Sequence, residues 1–300
     1  MKYELRDYQK ESVERVIHHF RRCHDPALIV LPTGAGKSLV IAELARIARG
    51  RVLVLAHVKE LVEQNHDKYE SYDLKAGIFS ASMNRKDHSD KVIFGSIQSV
   101  ARAPKEFFND FSLVVIDECH RISLEDDSQY HQVFKKLKEA NEKVFFLGLT
   151  ATPYRLGMGW IYNYHYHEMI RTNEERFFKF CIYELPLSYM IKKKYLTRPI
   201  KIDSPVACYD FSKLEVNENS GRFLTDEIEK ILNDSTRVTP GIIKHIITES
   251  KERNGVMLFT STVKHANEVL DYLPEGKSAI ITGETPQDIR TEIIADFKAQ

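Results

Sequence analysis

The amino-acid sequence predicts an α/β fold with a doubly wound, mostly parallel sheet, and three observations support this prediction. Short apolar runs recur through the first half of the chain, they are continuous rather than alternating, and helical patterns separate several of them. Continuous apolar runs are typical of strands that are buried on both faces of a parallel sheet. Strands that alternate with helices require right-handed crossovers, which place helices over both faces of that sheet.

The predicted elements of the first half are regularly spaced. The strands are predicted at 27–31, 52–56, 76–79, 92–94, 113–116 and 144–149, and the helices at 37–49, 59–71 and 130–140. Gly50 follows the first of these helices, at a position where glycine commonly ends a helix.

The pattern changes after residue 156. Residues 157–183 are aromatic and polar without strand periodicity, 184–196 are interpreted as a strand end and a helix, and 198–206 as an extended crossing segment. Residues 210–254 are mostly polar, with helical stretches at 225–232 and 241–251. A second α/β pattern follows, with strands predicted at 256–260 and 278–282 and helices at 263–272 and 285–298.

Charge and cysteine content restrict the class of protein. Lysine plus arginine and aspartate plus glutamate both number 43, so any nucleic-acid contact must use a local surface rather than an overall basic field. The four cysteines form no C-x-x-C pair, so we expect neither zinc nor a disulfide framework, and a reducing, cytoplasmic setting fits best. The charged amino-terminal segment lacks the apolar stretch of a signal peptide, and no apolar run approaches membrane-spanning length.

The strongest functional signal is the run LPTGAGKS at 31–38, which follows a predicted strand and opens a predicted helix. Glycines let backbone amides curl around phosphates, and the helix amino terminus adds positive potential. Lys37 is expected to reach the β- and γ-phosphates of ATP, and Ser38 to bind Mg²⁺. The pattern departs from a strict phosphate loop at Leu31, where a glycine is usual. The residues expected to bind ATP here are Pro32, Thr33, Gly34, Ala35, Gly36, Lys37 and Ser38.

A second signal is the run DECH at 117–120, at the end of an apolar strand. Ligands of α/β proteins bind at the carboxyl ends of strands. Asp117 is expected to hold Mg²⁺ and Glu118 to orient or deprotonate the attacking water, with His120 as a further member of the catalytic group. An acidic pair after a strand is also a common loop start, but its place about 80 residues after a phosphate loop favours one shared site.

These motifs, together with GLTATP at 148–153, resemble those of superfamily 2 helicases and translocases. The resemblance covers essentially the whole chain and implies two RecA-like domains with ATP bound between them. It places the first domain at 1–197, with an aromatic insertion at about 157–183. The second domain begins at 198, with a helical insertion at about 210–254, and is expected to be incomplete at residue 300.

The same resemblance assigns further residues. The run LRDYQ at 5–9 is similar to the adenine-recognition segment, which implies that Gln9 reads adenine and that Arg6 lies nearby. Thr150 and Thr152 resemble the residues that couple hydrolysis to domain movement. Three segments, 56–61, 95–99 and 259–262, match those that touch a nucleic-acid strand; without that match, ordinary strand-to-helix turns would explain them equally well. The residues implied to contact nucleic acid are His57, Lys59, Ser96, Gln98, Thr260 and Ser261.

Longer runs resemble the RadD family of bacterial DNA-repair ATPases, among them TATPYRLGMGWIYNYHYHEM and CIYELPLSYMIKKKYL. That resemblance implies a role in double-strand-break repair. It also implies two partners, the single-stranded-DNA-binding protein and the RecA recombinase. Two other features carry less weight: two histidines within 162–167 are too few for a metal site, and the lysines at 192–194 are typical of a solvated helix face.

The leading hypothesis is therefore an ATP-dependent DNA motor. One alternative is an ATP-gated nucleic-acid-binding scaffold that does not translocate. The other is an RNA helicase, because the DECH motif is compatible with DNA or RNA as the track. No Q-x-x-G-R-x-x-R motif occurs in the sequence. An arginine reaching the γ-phosphate is worth about 10³–10⁵ in turnover in related enzymes. We therefore expect this chain to be a fragment of a longer protein. The fragment itself is expected to bind nucleotide through its first domain but to hydrolyse it slowly or not at all.

Overall fold

The computed structural model describes residues 4–122, 128–201, 208–212, 214–217, 222–235 and 238–299. The chain divides into two compact units, Met1–Arg198 and Pro199–Gln300.

The first unit contains six helices and twelve strands among the residues that the structure describes. The helices are α1 (Asp7–Phe20), α2 (Lys37–Ile47), α3 (Lys59–Glu70), α4 (Ile97–Ala101), α5 (Gln129–Ala140) and α6 (Leu187–Lys192). The strands are β1 (Ala27–Val30), β2 (Arg51–Ala56), β3 (Gly77–Ser80), β4 (Arg85–Lys86), β5 (Val92–Ser96), β6 (Phe111–Asp117), β7 (Phe145–Thr150), β8 (Tyr154–Arg155), β9 (Gly159–Trp160), β10 (Tyr162–His165), β11 (Met169–Ile170) and β12 (Phe178–Glu184).

Ten of these strands form one sheet in the order β11-β10-β12-β1-β7-β6-β2-β5-β3-β4. Neighbouring strands pair in parallel except at the two edges, where β11 and β4 are antiparallel. The predicted α/β class with a mostly parallel sheet is thus confirmed, and each predicted strand of the first half is present within a few residues of its predicted bounds.

Apolar side chains cover both faces of the sheet, as continuous apolar strands require. One layer includes residues of α1, α2, α3 and α6, such as Val16, Ile41 and Met190. The other includes residues of α4 and α5, such as Val100 and Phe134. Burial on both faces explains why strands such as β2 show no polar alternation.

Segment 157–183, predicted to be an insertion without strands, is instead part of the sheet. It supplies β10 and most of β12, and β12 lies directly beside β1. Strand periodicity is absent from β12 because its aromatic and polar residues do not form one apolar and one polar face: Phe178 and Tyr183 are buried, whereas Lys179 and Glu184 are half-buried. Arg176 adds to this packing, since it is buried and its Nε donates to the Trp160 carbonyl at 2.7 Å.

The described part of the second unit contains four helices and one two-stranded sheet. They are α7 (Thr225–Asp234), α8 (Val238–Glu249), α9 (Val263–Asp271) and α10 (Gln287–Ala299), with β13 (Val216–Asn217) and β14 (Arg222–Phe223). The helices predicted at 225–232, 241–251, 263–272 and 285–298 are confirmed to within a few residues. Most of the crossing segment predicted at 198–206 lies outside the described residues.

The strands predicted at 256–260 and 278–282 are wrong for this structure, because neither segment adopts strand pairing. Both runs are apolar, but a strand also needs a hydrogen-bonded neighbour. Among the described residues of this unit neither run has one. The side chain of Phe259 is accordingly 94% exposed.

Gly148, in the middle of β7, supplies a test of sheet packing. A Cβ atom at this position would lie 2.6 Å from Phe178 Cζ and 2.7 Å from Cys119 Sγ, both on buried side chains. Gly148→Ala should therefore lower the free energy of unfolding of the first unit by about 1–3 kcal/mol through overpacking. Denaturant unfolding followed by the fluorescence of Trp160, the single tryptophan, measures this change.

Gly283→Ala serves as the control, because a Cβ atom there would meet no atom within 4 Å. An equal and small effect of both substitutions would contradict this prediction, because it would show that the side chains around Gly148 can shift to make room for a methyl group.

Candidate nucleotide-binding site

The phosphate loop lies between the end of β1 and the start of α2. Gly34 and Gly36 have φ angles of +83° and +77°, a region that side chains rarely adopt. Space restricts Gly36 as well, because a Cβ atom there would lie 2.6 Å from Gln9 Nε2. The loop therefore turns tightly just before α2, and the free backbone amides at a helix amino terminus are a site that suits phosphate.

Helix α1 holds this loop from one side through its first turn. Gln9 Nε2 donates to the Ala35 carbonyl at 2.8 Å, and the Tyr8 hydroxyl donates to the same carbonyl at 3.1 Å. Gln9 Oε1 accepts from the Arg6 backbone amide at 2.9 Å. The exposed Arg6 guanidinium lies 4.0 Å from the ring centre of Tyr195. The structure thus places Gln9 and Arg6 beside the loop, while adenine recognition by Gln9 stays a prediction.

Asp117 ends β6 and is buried, with 3% of its surface exposed. Asn65 Nδ2 donates to its Oδ2 at 2.9 Å, and the Glu118 amide donates to its Oδ1 at 2.9 Å. Burial raises the pKa of Asp117, and the hydrogen bond from Asn65 opposes that rise. The carboxylate is thus held in one orientation at a cost in desolvation, which a nearby cation would relieve.

Sequence reasoning missed Asn65. It lies on α3 on the same buried face as Val62, His66 and Tyr69. The sequence did contain a signal for it. Asn65 is a polar amide at a helical position where an apolar residue is expected, and a buried amide needs a hydrogen-bond partner.

Glu118 adopts a left-handed backbone with φ +50° and ψ +47°. Its Oε1 lies 3.2 Å from Lys37 Nζ, and its Oε2 lies 3.3 Å from His120 Nδ1. The hydrogen bond from His120 and the charge of Lys37 lower the pKa of Glu118. The carboxylate is therefore ionised at neutral pH, which is the form that accepts a proton from water.

The contacts continue from His120 to the segment after β7. His120 Nδ1 lies 3.0 Å from Thr150 Oγ1, and Thr150 Oγ1 in turn donates to the Thr152 carbonyl at 3.2 Å and accepts from the Thr152 amide at 3.0 Å. The Thr150 carbonyl accepts from the Leu31 amide at 2.9 Å. One continuous set of polar contacts thus joins Lys37 in the phosphate loop to Thr152, and we call it the polar chain.

These residues fit a nucleoside triphosphate with a divalent cation. The glycine turn offers backbone amides, the Lys37 side chain is only 14% exposed, and Asp117 provides a buried carboxylate. Lys37 and the loop amides would hold phosphate oxygens, and Ser38 and Asp117 are the residues that would hold Mg²⁺.

The residues proposed to contact nucleic acid in the first unit lie at the carboxyl ends of neighbouring strands. Ala56 of β2 pairs with Ser96 of β5. Gln98 Nε2 donates to the His57 carbonyl at 2.9 Å, and the Ser96 hydroxyl donates to Ser99 Oγ at 2.9 Å. Lys59 begins α3 beside them.

In the second unit Thr260 and Ser261 precede α9. Thr260 Oγ1 donates to the Thr262 carbonyl at 3.3 Å. The Thr262 side chain accepts from the His265 amide at 3.1 Å and caps the helix. These contacts fit a helix cap, so a nucleic-acid contact here stays a prediction.

One histidine of segment 162–167 joins a cluster of possible metal ligands with two residues of β12. One donor atom each from His165, Cys181 and Glu184 lies within 4.8 Å of the others. His165 Nδ1 accepts from the His167 amide at 3.2 Å, so Nε2 carries the proton and donates to Glu184 Oε2 at 2.9 Å. Burial raises the pKa of Cys181 to about 12, which keeps the thiol protonated. The Cys181 thiol donates to the Tyr183 carbonyl at 3.6 Å, so each member of the cluster has a hydrogen-bond partner.

A parallel sheet with a glycine loop between a strand and a helix, and an acidic pair at the end of a nearby strand of the same sheet, defines a phosphate-loop nucleotide-binding domain. Comparison with known families gives the particular class. The model of the ResIII family, described as type III restriction enzyme, res subunit, matches residues 2–155, about half of the chain. The chain belongs to this family, which is of the superfamily 2 helicase type.

Three relatives place the chain within this group. It is 32% identical over 155 residues to the DNA 3'-5' translocase XPB2 of Sulfurisphaera tokodaii, a match that covers 51% of this chain and 32% of the relative. It is 32% identical over 124 residues to the ATP-dependent DNA helicase uvsW of Enterobacteria phage T4, covering 38% and 24%. It is 27% identical over 157 residues to the putative ATP-dependent RNA helicase QP509L of African swine fever virus, covering 50% and 29%.

The chain therefore spans about a third or less of each of these relatives. Among the residues that the structure describes, the helices are all too short or too polar to cross a membrane.

Lys37→Ala should abolish hydrolysis and sharply weaken ATP binding, because the β- and γ-phosphates lose their main counter-charge. Calorimetric titration with a nonhydrolysable ATP analogue measures the effect. Lys143→Ala is the control, because Lys143 is exposed and lies before the amino end of β7, whereas the phosphate loop lies at the carboxyl ends of the strands. Near-normal affinity in the Lys37 variant would remove this lysine from the site.

Glu118→Gln should behave differently, since it preserves shape and leaves Asp117 in place. ATP binding should persist while turnover falls by about 10²–10⁴, the typical effect of losing a general base. Single-turnover hydrolysis together with analogue binding separates the two effects. Loss of binding along with turnover would assign Glu118 a structural role instead.

Asn65→Ala should weaken Mg²⁺-dependent nucleotide binding, because Asp117 loses the donor that orients it. Loss of such a supporting residue typically reduces metal affinity by about 10–100-fold. Titration of Mg²⁺ at fixed nucleotide measures it, with Gln64→Ala as the control, because Gln64 carries the same amide on the exposed face of α3. Equal Mg²⁺ affinity in both variants would show that Asn65 only packs.

Proposed function

We propose that this chain is the ATP-binding part of an ATP-dependent nucleic-acid motor, with DNA as its preferred track. The observation that carries the proposal is the polar chain. It connects the phosphate loop, the acidic pair and the segment after β7 through contacts of 3.0 to 3.3 Å. A simple nucleotide-binding site needs the first two parts only. Continuation to Thr150 and Thr152 provides a route from the reacting site to the rest of the protein.

Each residue has a separate part in the proposed reaction. Bound Mg²⁺ would neutralise phosphate charge, and Asp117 is oriented by Asn65 to receive it. Lys37 is positioned at the start of α2 to hold phosphate oxygens. Glu118, kept ionised by His120 and Lys37, is the base that takes a proton from the attacking water.

The ion pair between Lys37 and Glu118 also restrains the base. While Lys37 pairs with Oε1, its positive charge makes that oxygen a weaker proton acceptor. Movement of Lys37 toward phosphate frees Oε1, whereas the contact of Oε2 with His120 continues to orient the carboxylate. Because His120 Nδ1 also contacts Thr150 at the end of β7, a shift of His120 would move Thr150 as well. This coupling is the role proposed for Thr150 and Thr152.

The choice of DNA rests on the relatives. The two that are 32% identical are named a DNA translocase and a DNA helicase, whereas the one named as an RNA helicase is 27% identical. The resemblance of longer runs to RadD-type ATPases supports a finer proposal, a role in double-strand-break repair. The single-stranded-DNA-binding protein and the RecA recombinase are the partners that this finer proposal names, and binding to each purified partner tests it.

A comparison of tracks tests the main proposal. Single-stranded, duplex and forked DNA and RNA of matched length should be compared for binding and for stimulation of ATP hydrolysis. DNA is expected to bind more tightly and to stimulate more. Binding should weaken steeply with salt and vary little with base sequence, because the expected contacts are to phosphates.

Several outcomes would contradict this proposal. Tighter binding and stronger stimulation by RNA would favour the RNA helicase alternative. Nucleotide-dependent DNA binding without displacement of streptavidin from a biotinylated strand, in a chain that hydrolyses ATP, would favour the ATP-gated scaffold.

A further inference from the structure

A cavity of about 860 Å³ opens beside the ends of β3 and β5. Its volume lies within the range of small-molecule sites. Lys59, Ser96 and Gln98, from the segments expected to contact nucleic acid, line part of it. The phosphate loop and the acidic pair do not line it, so it is distinct from the nucleotide site.

The floor of the cavity is apolar. It includes Phe79 of β3 and Phe107, whose ring centres lie 4.4 Å apart. Both side chains are almost fully buried, at 6% and 4% exposed, so the floor is a packed surface rather than a mobile one. Nucleobases stack on aromatic side chains through their flat faces, a contact worth about 5- to 150-fold in affinity per base.

The rim of the cavity is basic. Lys86 and Arg102 are exposed and Lys59 is half-buried. Within the described part of the chain, none of these three cations has a carboxylate partner. Glu106 is the one acidic side chain among the lining residues. The excess of cations at the mouth therefore attracts an anionic ligand.

The polar side chains between floor and rim are engaged within the protein. Gln98 Nε2 donates to the His57 carbonyl, the Ser96 hydroxyl donates to Ser99 Oγ, and the Ala81 amide donates to Ser99 Oγ at 2.9 Å. These contacts leave few polar groups to distinguish one base from another. The cavity suits a base by shape and apolar contact more than by its hydrogen-bonding edge.

We propose that this cavity is a base-accepting subsite on the nucleic-acid track. One nucleobase of a single strand enters it over Phe79 and Phe107, and the flanking phosphates lie against Lys59, Lys86 and Arg102. This inference rests on the proposed function. It adds an inserted base to contacts that would otherwise be to phosphates alone, and it assigns Lys86 and Arg102, which lie outside the helicase motifs, to the track.

The rim is tested with the full chain and oligothymidylate in a fluorescence-anisotropy titration at several salt concentrations. Lys86→Ala combined with Arg102→Ala should reduce the slope of log affinity against log salt by about 1.4, because each phosphate contact of a single strand contributes about 0.7. Lys75→Ala combined with Lys143→Ala is the matched control. Both of these lysines are exposed and lie before the amino ends of β3 and β7, whereas the cavity lies at the carboxyl ends of the strands. The slope should therefore not change.

The floor is tested by comparing oligothymidylate with an abasic strand of equal length and charge. Wild type should bind the abasic strand at least about fivefold more weakly, the smallest effect expected from losing one stacked base. Ala81→Leu places a larger side chain at an exposed lining position and should bring this ratio close to one. The affinity of each variant for an ATP analogue reports whether its fold is intact.

The outcomes separate the inference from the function on which it rests. If wild type binds oligothymidylate but the rim variant keeps the full salt slope, or Ala81→Leu keeps the full preference for bases, the subsite is overturned and the motor proposal stands. If wild type binds no oligonucleotide in any nucleotide state, both are overturned.

Discussion

Parallel pairing places the carboxyl ends of the central strands side by side at one end of the sheet, and the proposed chemistry of the first unit depends on this constraint. The ends of β1, β6 and β7 carry the phosphate loop, the acidic pair and Thr150, and they are adjacent in the sheet order. The ends of β2 and β5 carry the segments expected to contact nucleic acid. Residues more than 100 positions apart in sequence, such as Lys37 and Thr150, therefore join one set of contacts without long connecting loops.

The same edge sets the electrostatics of the site. Apolar layers on both faces of the sheet remove water from Asp117, which raises its pKa, whereas Glu118 lies nearer the surface among cationic and hydrogen-bonding partners, which lower its pKa. Two adjacent carboxylates thus acquire opposite shifts from their surroundings. Such a divergence separates a residue suited to a metal ion from one suited to accept a proton.

Much of this arrangement could be predicted from sequence, because the predictive features are local. Each buried strand of the first half appears as an apolar run, and the phosphate loop carries its two glycines within three residues. Asn65 could not be linked to Asp117, because its role depends on a contact between residues 52 positions apart. The strands β10 and β12 were missed since their aromatic and polar residues obtain burial only from tertiary packing. For residues 256–260 a strand was predicted and none is present: their composition favours a strand, but strand formation also requires a paired neighbour.

The left-handed backbone of Glu118 has a consequence for how this site can change. A side chain in that conformation costs about 1–2 kcal/mol that glycine would not incur. The residue with the lowest backbone cost at position 118 is therefore not the one that the proposed reaction requires. Selection for backbone stability alone would favour glycine or asparagine here and would remove the proposed base, so selection for folding and selection for turnover act in opposite directions at this position.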